Sequence, residues 1–461
     1  MLQKNDELTV KIEDMGSSGE GIAKVDGYPL FIKDAIVGDV AEVKVMKVNA
    51  SYGFARLMKI VTPSADRVQA CCPIARKCGG CQLQEMSYEA QLRFKEAKVL
   101  NALERIGKVS REDFEYLPII GMDEPFCYRN KSQFPVGYRK GTKEIISGFY
   151  AGRTHDIMET KKCYLGHPKL DEALDAVKSY MRECHVTPYD EATGKGLVRH
   201  ILVRVGFKTG QIMVCLIING RKIPQPERLI AILKKIEGMT SISLNVNTEK
   251  TNVILGKETL HIFGDGFITD YIGDIKFQIS PQSFYQVNPQ QTEKLYGKAL
   301  QFAGLTGKEV VWDLYCGIGT ISLFLAKKAK KVLGVEIVPE AIADAKRNAA
   351  LNNITNAEFF VGKAEEVVPA YYKKHKAEAS KETRPDVICV DPPRKGCDEV
   401  LLSTMVEMAP EKIVYVSCDP ATLARDVKYL TEHGYRLVKA QAVDQFAQSF
   451  HVESVVLLSR K

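Results

Sequence analysis

Apolar and polar positions change their period along the chain, and each change marks a different kind of structure. Residues 1–62 alternate in short runs: LTVKI at 8–12, PLFIKDA at 29–35, DVAEVKVMKV at 39–48 and FARLMKI at 54–60. Gly16, Gly19, Gly21, Gly27, Gly38 and Gly53 punctuate them. A period of two broken by glycine turns predicts a small barrel of about five strands. Pro63 and Ser64 then open a linker. Residues 87–106 shift to helical spacing, with Leu92, Val99, Leu103 and Ile106 on one face, Ser87 placed to cap the start and Gly107 to stop it. Strand-like runs return at 200–207, 211–218 and 241–247, with a helix-like stretch at 225–237, so residues 63–274 read as a central α+β domain. From 275 to 461 short apolar runs alternate regularly with amphipathic stretches, the pattern of a doubly wound parallel α/β sheet. Within it, residues 373–385 (KKHKAEASKETRP) read as a polar surface insertion.

The strands of this last region end in chemistry. The run Val310–Leu314 leads into DLYCGIGTISLFLA, a glycine-rich turn opening a helix. The next strand, KVLGVEI, carries Glu336 at its tip, where a carboxylate can take both ribose hydroxyls of a nucleoside. A dinucleotide fingerprint needs a third glycine where Ser322 stands, and its phosphates would find acidic Asp313 just before the turn. S-adenosylmethionine (SAM) has no phosphates and suits the turn better. VICVDPPRKG at 387–396 is a further strand, and it ends in Asp391, which faces the cofactor crevice at the carboxyl edge. The run 413–416 ends at Ser417 and Cys418, followed by Asp419 at an N-cap position and Pro420 at the first helical position. A thiol at the start of a helix is expected to have a lowered pKa and to act as a nucleophile. The competing reading of Cys418 is a packed core cysteine.

Length, charge and cysteine content narrow the class. With 461 residues and 45% apolar positions the chain has room for two or three folded domains. The N-terminal MLQKNDELTV lacks an apolar core of signal-peptide length, and the longest apolar run, at 212–218, is too short to span a bilayer. A soluble, cytoplasmic protein is expected. A net charge of +7 permits a polyanionic partner. Eight Lys/Arg against three acids lie in 127–162, interleaved with or flanked by Phe126, Tyr128, Phe134, Tyr138, Phe149 and Tyr150. Such a mixture suits phosphates and unpaired bases, or else a solvated basic face over core aromatics. His200 reads as structural. Twelve cysteines in such a chain argue for metal or catalytic use rather than disulfides. Cys72, Cys78 and Cys81 form C-x5-C-x2-C around Gly79 and Gly80. Cys163 is the best fourth ligand, with Cys71 as competitor; four thiolates would suit a [4Fe-4S] cluster or zinc equally. The first spacing is wrong for the C-x3-C-x2-C of radical-SAM enzymes.

Two resemblances sharpen this reading. The stretch GSSGEGIAKVDGYPLFI resembles a TRAM domain, an OB-like RNA-binding module. FYQVN (284–288), DLYCGIGT, GVEIV, DPPRKG, VSCDPATLARD and HVESVVLL (451–458) run in the order found in RNA uracil-5-methyltransferases. With the barrel and the cysteine cluster, the whole chain resembles the iron–sulfur 23S rRNA (uracil-5-)-methyltransferases. That resemblance implies SAM contacts at Gln286, Tyr315, Glu336 and Asp391, a nucleophile at Cys418, a base at Glu453, and a [4Fe-4S] cluster on Cys72, Cys78, Cys81 and Cys163. It implies a flipped-out loop uridine of 23S rRNA as substrate. Thr320 stands where the family often has Asn, and Asp419 where it often has Asn after the Ser-Cys pair. The alternatives are a tRNA uracil-5-methyltransferase, an exocyclic amino-methyltransferase using the Asp391-Pro392-Pro393-Arg394 tetrad, and a non-enzymatic RNA-binding iron–sulfur protein.

Overall fold

The alternating N-terminal segment forms a six-stranded sheet in the order Glu7–Lys11, Val40–Val48, Gly53–Thr62, Tyr28–Lys33, Gly21–Val25 and Asp14–Met15. Its inward positions, among them Ile12, Leu30, Ile32, Val43 and Val45, make the core of this module. These elements belong to a computed structural model that describes residues 2–152, 154–375 and 385–461. Arg153 and most of the polar stretch at 373–385 lie outside the described residues.

The central sheet has seven strands: Ile157–Glu159, Ile145–Tyr150, Lys131–Tyr138, Val198–Val205, Ile212–Ile218, Met239–Val246 and Glu258–Phe263. Val198–Val205 and Ile212–Ile218 are buried at every position. One of their faces packs on helices Pro168–Glu183 and Pro226–Leu233. The other, through Leu202, Met213, Cys215 and Ile217, enters the same core as Phe277, Tyr285 and Leu295 of the C-terminal region. Each such aliphatic side chain contributes roughly 1.5–3 kcal/mol of burial, so the two regions share a continuous apolar seam.

The C-terminal sheet has eight strands in the order Ala357–Val361, Lys331–Glu336, Val310–Leu314, Val387–Val390, Lys412–Ser417, Glu453–Arg460, Tyr435–Val443 and Glu115–Ile120. The first five are parallel, and Glu453–Arg460 is antiparallel to Lys412–Ser417. The eighth strand comes from within the 63–274 segment and pairs in parallel with Tyr435–Val443. Helix Tyr88–Arg105, capped by Ser87, also packs here, against helix Pro420–Glu432. The linear boundary at 274 is therefore crossed by 88–120, because the open edge at Tyr435–Val443 takes a strand from upstream. Val99 and Leu103 of the helix are buried as their spacing predicts, whereas Ile106 is exposed beyond the last turn. No helix among the described residues is long and apolar enough to cross a membrane.

Candidate active site

The functional side chains gather at the carboxyl edge of the parallel strands. Strand Val310–Leu314 runs into Tyr315, Gly317 and Gly319, all with positive φ (66°, 55° and 84°), before helix Thr320–Ala326. A β-carbon on Gly317 would meet nothing within 4 Å, so this turn looks onto open space. Glu336 closes the turn from the neighbouring strand: its carboxylate accepts from the Gly317 amide at 3.2 Å and the Val338 amide at 3.0 Å. Beneath it, Asp313 is fully buried and accepts from the Ser322 hydroxyl at 2.5 Å, while its other oxygen has no partner. Burial pushes Asp313 up to about 7. Ser322, in the place of a third glycine, thus ties the helix to the strand.

Gln286 reaches the same crevice from the loop before helix Pro289–Ala303. Its carbonyl accepts from Asn130 Nδ2 at 2.9 Å, which fixes the loop on the central sheet. Its side chain bonds the Tyr296 hydroxyl, and that hydroxyl also lies 3.2 Å from Thr320 Oγ1. Tyr296 thus joins Gln286 to the glycine turn, with Asp391 within electrostatic reach. Burial raises Asp391 to about 6. The crevice fits SAM: two carboxyl groups at strand tips, an unobstructed turn and no phosphate cradle.

Cys418 follows strand Lys412–Ser417, and the helix behind it begins as the sequence predicts. Asp419 accepts from the Ala421 and Thr422 amides at 2.9 and 3.1 Å, with Pro420 in the first turn. Ser417 pairs with Ser454 of the antiparallel neighbour, and Cys418 and Glu453, the next residue along each chain at that end, lie within electrostatic reach of each other. The lowered thiol pKa expected at this helix start is not found. Burial, then the carboxyl groups of Glu453 and Asp391, push Cys418 up to about 11 against the opposing pull of Arg394. The buried Glu453 is itself raised to about 8 by burial and by Asp391, again opposed by Arg394. Two acidic groups beside a half-buried thiol outweigh the helix start.

Phe284 and Arg394 lie in motifs that carry the resemblance, but the sequence assigned neither a role of its own. Phe284 is 69% exposed, yet its loop is rigid: Arg204 donates to the Ser283 carbonyl at 2.5 Å and Ser283 donates to Asp344 at 2.8 Å. Arg394 is held by its carbonyl, which accepts from Thr422 Oγ1 at 3.1 Å, and its charge reaches Cys418, Glu453 and His451. Only the residue pattern Asp-Pro-Pro-Arg could have pointed to it.

The basic and aromatic stretch at 127–162 is less open than its composition implies. Phe134 is buried against Phe149, the Tyr128 hydroxyl donates to the Ala447 carbonyl, and of the six aromatics Tyr138 alone is exposed. Arg139 is paired with Glu144 and Glu159, and Lys140 with Asp156. His200 is buried beside Tyr150, and burial lowers it to about 4, in keeping with a structural role.

All twelve cysteines are free. Cys72, Cys78 and Cys163 come near enough to Cys81 to act on its thiol, and Gln84 donates to the Cys81 sulfur at 3.3 Å. Cys71 is exposed, but its sulfur lies 3.6 Å from Oε1 of the same Gln84 and within electrostatic reach of Cys72. The donor set has thiolate-site chemistry. As placed, however, no three His, Cys, Asp or Glu side chains among the described residues could hold a metal ion. The implied cluster is not shown.

A parallel sheet with this turn, Glu336 on the second strand and an antiparallel strand beside the fifth has the architecture of a SAM-dependent methyltransferase, with an N-terminal barrel attached. Residues 2–58 match the TRAM domain, and residues 175–461 match the tRNA (Uracil-5-)-methyltransferase family. The chain belongs to that RNA uracil-5-methyltransferase family. It is 50% identical over 459 residues to an "uncharacterized RNA methyltransferase" of Clostridium tetani, covering 99% of this chain and 97% of that one. A protein of the same description from Halalkalibacterium halodurans is 51% identical over 461 residues, covering 100% and 98%. Among solved structures, Pyrococcus abyssi tRNA (uracil-54, C5)-methyltransferase in complex with S-adenosyl-L-homocysteine superposes with a TM-score of 0.77 at 27% identity, covering 98% of this chain and 100% of that one. The protein is thus an RNA methyltransferase of the uracil-5 family that uses SAM.

Proposed function

We propose that the protein methylates C5 of a flipped-out uridine through a covalent Cys418 adduct, with Glu453 as base. The carrying observation is the juxtaposition of Cys418 and Glu453 at adjacent strand ends, beside Asp391 at the cofactor crevice. SAM bound there supplies an electrophilic methyl group. The Cys418 thiol loses its proton to solvent and its sulfur adds to C6, forming the S–C6 bond and pushing the C5=C6 electron pair into an enolate. C5 then takes the methyl group as the sulfonium S–CH3 bond breaks, with S-adenosylhomocysteine as the leaving thioether. The Glu453 carboxylate accepts the C5 proton, the S–C6 bond breaks, and the C5=C6 double bond returns. Gln286, Tyr315, Glu336 and Asp391 hold the cofactor in this scheme. Phe284 offers a stacking face beside it, as an unstacked base requires.

The substrate that the whole-chain resemblance implies is 23S rRNA. A tRNA substrate is the second reading, and the Pyrococcus abyssi enzyme favours it, since a tRNA (uracil-54, C5)-methyltransferase spans nearly the whole of this chain. The [4Fe-4S] cluster is carried by the spacing of Cys72, Cys78 and Cys81 and by the approach of Cys163. The deciding experiment transfers labelled methyl from SAM to separated rRNA and tRNA pools from methylation-deficient cells, followed by nucleoside digestion. Label in 5-methyluridine from 23S rRNA supports the reading; label in that nucleoside from tRNA alone moves the substrate. Label in a methylated adenosine or cytidine removes Cys418 from the chemistry and restores the amino-methyltransferase alternative.

A further inference from the structure

The segment from Asp444 to His451 links the last two antiparallel strands and delivers Glu453 to the site. It is held by one face of helix Tyr88–Arg105, through Tyr88, Gln91, Lys95 and Lys98. Tyr88 donates to Asp444 at 2.8 Å, Gln91 and Gln448 exchange two bonds at 3.0 and 2.9 Å, and Lys95 donates to the Phe446 carbonyl at 3.0 Å. Lys98 donates to the Phe450 carbonyl at 3.1 Å and to the Ser17 carbonyl of the N-terminal barrel at 2.8 Å. Three partly buried rings lie on this fixed segment. Phe450 and His451 lie 4.2 Å apart between centroids, Phe446 lies 6.2 Å from His451, and the Lys98 ammonium sits 5.0 Å from the centre of the Phe450 ring. His451 stands two residues before Glu453 and shares the Arg394 field with Cys418.

We propose that Phe446, Phe450 and His451, flanked by Lys98 and Arg394, form a stacking subsite for an unpaired RNA base adjacent to the target uridine. This rests on the function proposed above. The occupant follows from the chemistry of the lip. Aromatic faces accept any base, and the cations beside them neutralise the flanking phosphates. Burial and the surrounding cations hold His451 down near 4, so the imidazole offers a neutral ring. Because helix Tyr88–Arg105 has already ordered the segment, stacking does not incur the entropy of arranging a loop. The contact between Lys98 and Ser17 sets the barrel against this lip, so RNA lying along the barrel would pass the subsite on its way to Cys418.

The test uses the full chain saturated with S-adenosylhomocysteine and a single-stranded RNA 12-mer of alternating uridine and 2-aminopurine. Phe450→Leu and His451→Leu should each weaken binding by about tenfold and relieve quenching of the 2-aminopurine. Phe450→Tyr should bind like the parent, which separates stacking from bulk. S-adenosylhomocysteine affinity and melting temperature report the fold. Parent-like binding and quenching by a folded Phe450→Leu protein would overturn the subsite and leave the rings to a protein partner. The 12-mer assay needs no turnover, so it is independent of nucleoside analysis: a product other than 5-methyluridine would sink the proposed function without altering these binding arms.

Discussion

Ser417 and Ser454 pair across two antiparallel strands, and the residues next to them at that end are Cys418 and Glu453. The Glu453 carboxyl acts on the Cys418 thiol there, so a thiol and a carboxyl stand together where the proposed chemistry needs a nucleophile and a base. The arrangement separates the two roles. Cys418→Ala should lower turnover by on the order of 10⁴-fold or more while SAM still binds by calorimetry. Glu453→Gln should form the S–C6 bond and transfer the methyl group but stall before elimination. It should then accumulate a protein–RNA adduct that runs slowly on a denaturing gel. Normal turnover by Cys418→Ala excludes the covalent route, and activity without adduct in Glu453→Gln removes Glu453 as base.

Both groups are protonated in the free protein at neutral pH, with Glu453 near 8 and Cys418 near 11. The attacking sulfur must be a thiolate, so kcat/KM should rise with pH without a plateau near neutrality, and breakdown of the methylated adduct in a single turnover, which needs the Glu453 carboxylate, should rise through about 8. Stability runs the other way. The folded protein holds the Glu453 proton more tightly than an unfolded chain whose carboxyl lies at 4.5. The unfavourable contribution is absent below that unfolded value and grows until the pH passes about 8. Glu453→Gln should therefore raise the melting temperature more at pH values above 8 than near 4.5. An equal shift at both ends would mean that Glu453 ionises normally.

Much of the fold was legible because local patterning and tertiary packing agree where apolar strands alternate with capped helices. Asp419 and Pro420 start their helix as read, and Glu336 arrives at the strand tip beside the glycine turn. What escaped was long-range and polar. Nothing in Glu115–Ile120 announces that it pairs with Tyr435–Val443, some three hundred positions away. Tyr88, Gln91, Lys95 and Lys98 look like the solvent face of an amphipathic helix, yet they line a contact with the 444–451 segment. The lowered pKa expected for Cys418 failed for a related reason: the helix start is local, whereas the burial that chiefly raises the thiol, and the carboxyl groups that add to it, come from the tertiary packing.

Glu336 fixes the glycine turn and, in the proposed function, takes the ribose of the cofactor, so its two variants should fail to different degrees. Its carboxylate fixes the glycine turn through the Gly317 and Val338 amides and offers an acceptor to a ribose. Glu336→Gln keeps an acceptor for one of the two amides and loses the charge, and should weaken SAM binding by about tenfold. Glu336→Ala frees the turn as well and should weaken binding further. Titration calorimetry of the two variants gives the order; equal affinity of the parent and Glu336→Ala would move the ribose site elsewhere.

The cysteine segment is tested by composition rather than activity. Protein purified without oxygen should carry iron and acid-labile sulfide in equal amounts if the four thiols hold a [4Fe-4S] cluster, and zinc without sulfide if they hold that ion instead. With Cys163 as the fourth ligand, Cys81→Ser and Cys163→Ser should lose the metal while Cys71→Ser keeps it; loss of the metal from Cys71→Ser would make Cys71 the ligand instead. Protein free of both metals would leave the segment as four reduced thiols.

Lys95 and Asp444 form an ion pair at 2.5 Å in which both side chains are fully buried. Desolvation lowers the Lys95 ammonium, and the Asp444 carboxylate opposes that shift. Removing one partner strands the other charge. Lys95→Met should destabilise the protein by on the order of 3–5 kcal/mol. The double variant Lys95→Met with Asp444→Asn should recover part of this, because an amide oxygen still accepts from Tyr88 and no charge is left unpaired. Urea unfolding of the single and double variants measures the coupling. Because the pair anchors the segment that carries Glu453, the double variant should regain stability before turnover: a neutral pair fills the space but holds Asp444 less tightly to the helix. Full recovery of both would make the pair a stability feature without influence on the base.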